Sequence, residues 1–139
     1  MNRDSAGTAC AYGFHAPLKP MDFADAVTRV IDALETQGFG MLTDIDVQAT
    51  MKSKLGINAR PYRILGASNP PLGHRALEAD PDIGLLLPCN VTVREESDTS
   101  IFLGFMQPVV ARMTDDPKVA AVAQKVRQRP DRVCQRLAE

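Results

Sequence analysis

The chain has 139 residues, 45% of them apolar, which suits a single domain with one sizeable core and leaves little room for two. Its 16 basic residues oppose 17 acidic ones for a net charge of -1, so no long-range field draws the chain to nucleic acid or to an anionic membrane. The longest apolar run falls short of a membrane span, and the polar start from Met1 to Cys10 lacks the apolar segment of a secretory signal.

Residues 1–7 are expected to be frayed or disordered, with residues 8–139 forming one domain. Thr8 to Phe14 reads as a first strand. The following His15-Ala16-Pro17-Leu18-Lys19-Pro20 reads as a connector, because its prolines cannot donate to a ladder. Asp22 then caps a helix whose apolar residues Phe23, Val27, Val30, Ile31 and Leu34 share one face, and Gly38 stops it. Phe39 to Thr43 predicts a short second strand. Asp44 or Asp46 can cap the next helix, which carries Val47, Met51 and Leu55 on one line and ends at Gly56.

Arg60 to Ala67 predicts a third strand. Asn69-Pro70-Pro71 opens a third helix, with Asn69 as its cap, and Asp80-Pro81 closes it. Ile83 to Val93 is the most apolar run and predicts a central strand, bent at Pro88 so that Cys89 and Asn90 are re-aimed. Glu95 to Asp98 is a polar turn, and Thr99 to Met106 returns as a fifth strand that Pro108 ends. Asp115-Asp116-Pro117 starts the last helix, with Val119, Val122, Ala123 and Val126 in register, and Pro130 breaks or restarts it.

The resulting order, β-α-β-α-β-α-β-β-α, predicts a two-layer α+β domain in which helices pack mainly on one face of a mixed five-stranded sheet. In the final hairpin Ile101, Leu103 and Phe105 alternate with Phe102 and Met106, so both faces of that strand are apolar. A wet outer face should alternate with polar residues, and the expectation is that a second copy of the chain covers it, making a homodimer through the sheet or its edge.

Tyr62-Arg63-Ile64-Leu65-Gly66, Asn69-Pro70-Pro71-Leu72 and Ile83 to Val91, preceded by Gly38-Phe39-Gly40 and Asp44-Ile45-Asp46-Val47, together resemble the bacterial and archaeal domain-of-unknown-function family 302 from about Tyr12 to the final helix. The resemblance implies a small α+β fold, usually dimeric, with no assigned activity. It also implies a cysteine where this chain has Ser68, and that departure argues against chemistry needing one thiol there and another after Pro88.

Cys10, Cys89 and Cys134 show no metal-ligand spacing, and their odd number does not suit a disulfide framework, so a cytoplasmic, reducing location is expected. Cys89 is the weak candidate for a catalytic or redox thiol. It would need a cation such as Arg63 or His74 close by, and the competing reading is a buried core cysteine. His74 and Glu78 share a helix face and are weak metal candidates, but two ligands are not a site and no spacing announces a third. No GxxxxGKS or GxGxxG loop is present, and Pro70 and Pro71 remove N–H groups that a phosphate would need. Lys118, Lys125, Arg127, Arg129, Arg132 and Arg136 offer a basic ridge, diluted by Asp115, Asp116 and Asp131 and without aromatic platforms for bases.

These residues predict a homodimeric domain that binds or senses a small molecule, with no cofactor and no resident metal. Its binding residues are expected among Tyr62, Arg63, Ser68, Asn69, His74, Cys89 and Asn90, and only one of Tyr62 and Arg63 can share a sheet face with Cys89. The alternatives are a thiol-dependent enzyme or redox protein using Cys89, and a structural module that meets another protein.

Overall fold

A computed structural model describes residues 8–10, 12–98, 100–106 and 116–138. In chain order the elements are β1 (Thr8–Cys10), β2 (Gly13–Pro17), α1 (Phe23–Thr36), β3 (Gly40–Asp46), α2 (Val47–Leu55), β4 (Tyr62–Ser68), α3 (Pro70–Ala79), a 3₁₀ helix (Pro81–Leu86), β5 (Cys89–Ser97), β6 (Ser100–Met106), α4 (Pro117–Arg127) and α5 (Arg129–Ala138). Among the described residues the sheet has six strands rather than five, in the order β1-β2-β6-β5-β4-β3, and its neighbour pairings are all antiparallel. The class is α+β, with helices packed on one face.

Two departures from the expected order have local causes. The first strand is a hairpin: His15 and Ala16, assigned to a connector, pair with Gly104 and Leu103. Pro17 is tolerated because it is the last residue of β2, and the next donor, Leu18 N–H, bonds to the Ile101 carbonyl. The run from Ile83 is a strand only from Cys89 onward. Its first half is a 3₁₀ helix that starts on Pro81 and is capped by the Asp80 carboxylate, which accepts from the Asp82 N–H. Apolar content alone does not separate the two conformations in a run this short. The last helix is two helices, parted at Gln128, in keeping with the break or restart expected at Pro130. The expectations for residues 1–7 and for Pro108 lie outside the described residues.

Cross-strand partners share a face, so the register divides the sheet. Ala16, Leu103, Val93 and Arg63 form one row of the inner face, and Phe14, Phe105, Val91 and Leu65 form the next. Against these rows α1 sets Val30 and Leu34, and α5 sets Val133, Cys134 and Leu137, closing the main core. The α1 stripe is as its spacing predicts, with Val27, Val30 and Leu34 buried and Phe23 and Ile31 packed at its margins. A smaller core joins Ala76 of α3, Ile83 of the 3₁₀ helix and Val119 of α4.

The outer face is less apolar than the β6 sequence suggests. His15, Gly104, Thr92, Ile64 and Ile45 form a row across it, and β5 adds Asn90, Arg94 and Glu96. Phe102 is partly buried by its own chain: the His15 ring meets it edge-on at 5.6 Å, and the Arg94 guanidinium lies 5.5 Å from its centroid. The argument that only a second copy can shield this strand therefore does not hold at Phe102.

Candidate functional site

Where β4 ends and α3 begins, the chain makes a turn governed by one side chain. Asn69 takes an extended conformation, as the residue before proline should, and its Oδ1 accepts from the Leu72 N–H at 3.2 Å. Its amide nitrogen lies against Gly38, close enough that a Cβ there would meet it at 2.7 Å, and Gly38 sits at φ 83°, where a side chain would be strained anyway. Beside it the Arg129 Nη1 donates to the Gln37 carbonyl at 2.6 Å, tying the end of α1 to the start of α5.

Just past this turn lies a cavity of about 70 Å³. Its floor is the end of the sheet, with Ala67, Ser68, Cys89 and Met106. Its walls are Asn69, Leu72, Gly73 and Ala76 from α3, Ile83, Leu86 and Leu87, and Val119, Val122, Ala123 and Val126 from α4. Nearly every lining side chain is apolar, and the polar groups, Ser68 and Asn69, stand together at one rim. Pockets that engulf drug-sized molecules run to about 300–1,000 Å³, so this space in its present form admits a fragment of a few carbon atoms. A cavity of about 150 Å³ lined by similar side chains holds benzene.

The structure brings Ser68, Asn69 and Cys89 to this cavity, while Asn90, exposed on the opposite sheet face, borders a smaller adjoining crevice that Cys89 also lines. The other expected residues stand elsewhere. Arg63 shares the inner face with Cys89 but sits four positions before Ala67, the residue that pairs with Cys89, and its guanidinium grips the Asp44 carboxylate through two hydrogen bonds, one of 2.7 Å. That pair lowers the Asp44 pKa and raises the Arg63 pKa. Tyr62 points to the outer face, opposite Arg94. His74 is exposed on α3, where its Nε2 meets the Glu78 carboxylate at 2.7 Å. No third metal-ligating side chain joins them among the described residues.

Burial pushes the Cys89 thiol up from its ordinary pKa, and no cation among the described residues acts the other way. A nucleophilic cysteine requires the reverse. Cys134, in the main core, is pushed up to about 11 by burial and by Asp131.

The walls contributed by the 3₁₀ helix and α4 were not among the expected binding residues. The spacing of Val119, Val122, Ala123 and Val126 announces an apolar stripe, but a stripe does not say what it covers.

The family described as "Domain of unknown function DUF302" is matched over residues 14–137. Among solved structures, the chain is similar to an uncharacterized conserved DUF302 protein from Bacillus stearothermophilus, with 24% identity over 91% of this chain and 98% of that one and a TM-score of 0.80. That likeness is one of fold. No curated protein matches the sequence. No helix among the described residues is long and apolar enough to cross a membrane.

Proposed function

The chain belongs to the DUF302 family, and from that premise we propose that it is a cytoplasmic, homodimeric domain that binds a small molecule in the cavity between α3, α4 and the ends of β4 and β5. The observation that carries this reading is a half-enclosed, almost wholly apolar space with Ser68 and Asn69 among its few polar lining residues. Well-packed interiors rarely leave a void larger than a water molecule, so one of this size between two layers marks a place where a ligand is accepted.

Xenon, which enters apolar cavities without needing polar partners, is the direct probe. Its addition is expected to shift the methyl resonances of Leu72, Val119 and Ala123, and Ala76→Leu should abolish those shifts by filling the space. Unmoved resonances in the unaltered chain would overturn the reading.

Support for a dimer comes from the β3 edge and the helix after it. Leu42, Ile45, Leu55 and Ile57 are 65%, 48%, 65% and 50% exposed, and α2 buries no residue at all. Large apolar side chains gathered near an unpaired edge strand are a surface that a second copy would cover. Sedimentation should therefore show a dimer that Ile45→Glu converts to a monomer. A monomeric unaltered chain at micromolar concentration would refute it.

The thiol-enzyme alternative is disfavoured by the Cys89 environment. Alkylation at neutral pH is expected to reach exposed Cys10 quickly, and Cys89 and buried Cys134 only on unfolding. Rapid labelling of Cys89 in the folded chain would revive that alternative.

A further inference from the structure

The seam between α3 and α4 has a second side. Facing solvent, the two helices leave a groove enclosing about 400 Å³, lined by Arg75, Glu78 and Ala79 from α3 and by Lys118, Ala121, Val122 and Lys125 from α4. Val122 borders both this groove and the apolar cavity beneath it. The partition is therefore thin. Val122 and Ala79 form it, packed against buried Ala76, Ile83 and Val119.

The charge in the groove is unlike that of the whole chain, which is -1. Among the described residues, Arg75, Lys118 and Lys125 line the groove with a single carboxylate, and that carboxylate, Glu78, already meets His74. Arg60, Arg63 and Arg94 each pair with an acid, whereas none of the three groove cations does so among the described residues. Like charges held around one concavity repel each other, and an anion bound among them relieves that repulsion.

We infer that this groove holds the carboxylate head of a short-chain amphipathic ligand whose hydrocarbon tail passes Val122 into the cavity. The inference rests on reading the cavity as a ligand site, and it adds the ligand's class: a small carboxylate bearing a few methylene groups. The volumes fit that shape, with about 70 Å³ of apolar space for the tail and a wider, wet, cationic space for the head. The passage requires Val122, which packs against Ala76, Ile83 and Val119, to give way.

Hexanoate, hexanol and acetate, titrated into the full chain and followed by backbone amide shifts, test the inference. Hexanoate is expected to bind roughly 1.5- to fivefold more tightly than hexanol, the range of an exposed ion pair, and to lose that advantage at about 1 M salt, where screening acts within about 3 Å. Lys118→Gln with Lys125→Gln should bring hexanoate to the level of hexanol while leaving hexanol binding unchanged. Both positions are exposed, and the spectrum of the free variant is the check that the fold is kept. Equal binding of hexanoate and hexanol, insensitive to salt and to the lysines, would overturn the carboxylate assignment and leave the cavity reading standing. Acetate binding as tightly as hexanoate would overturn the tail's passage, and no binding by either six-carbon probe would overturn both readings.

Discussion

The two helices that follow β2 and β3 form for different reasons. In α1 the apolar stripe is the cause: Ala26, Val27, Val30, Ala33 and Leu34 are buried, and the Asp22 cap makes no side-chain hydrogen bond. In α2 no residue is buried, and the ends hold the helix. The Asp46 carboxylate accepts from the Ala49 N–H at 2.9 Å, Gly56 turns left-handed at φ 66°, and the Gly56 and Ile57 N–H groups return to the Lys52 and Met51 carbonyls. Burial anchors a helix to its protein, whereas caps only keep it wound.

That contrast can be broken most sharply by matched leucines. Leu34→Ala, at a site 1% exposed, is expected to cost about 2–5 kcal/mol in urea unfolding, and Leu55→Ala, 65% exposed, less than about 0.5 kcal/mol for the monomer. Similar costs at the two sites would mean that α2 is buried after all. Next in size, Asp46→Ala should cost about 1 kcal/mol and speed amide exchange through α2, because an orphan N–H loses its acceptor. Asp22→Ala, which removes no such bond, should lie near zero.

The smallest effect concerns pH at the foot of the same region. Since Arg63 holds the Asp44 carboxylate below its ordinary pKa, the pair stabilises the fold fully above about pH 4, where this group ionises in the unfolded chain. Its contribution is lost as pH falls through the lower folded value. Both side chains are partly exposed, so the pair is expected to contribute less than about 1 kcal/mol. Comparing acid unfolding of the unaltered chain with Asp44→Asn checks this: the variant should be less stable at pH 6, and the two curves should converge as pH falls through the lowered Asp44 pKa.

What was legible in the sequence follows from how local each cause is. Asn69 before two prolines, Asp46 before Val47, and Gly56 after Leu55 act within a few residues, and the structure uses them as caps and stops as read. The spacing of Val27, Val30 and Leu34 likewise marks one buried face. Pro17 misled because its missing donor matters only inside a ladder, and it sits at the end of one. Ile83 misled because a buried 3₁₀ turn and a buried strand are written in the same apolar residues. For the candidate site, Ser68, Asn69 and Cys89 could be named from the chain, since each marks an element end. The α4 walls could not, because they depend on a docking between segments more than forty residues apart.

The position of α5 has a consequence for synthesis. Val133, Cys134 and Leu137 fill the same core as Leu34 and Leu103, and Arg129 bonds to Gln37 across 92 residues. Until those last turns leave the ribosome, α1 and the inner face of the sheet have an uncovered apolar side. The growing chain must then carry a nearly complete but open domain, at risk of sticking to its neighbours, until α5 has been made.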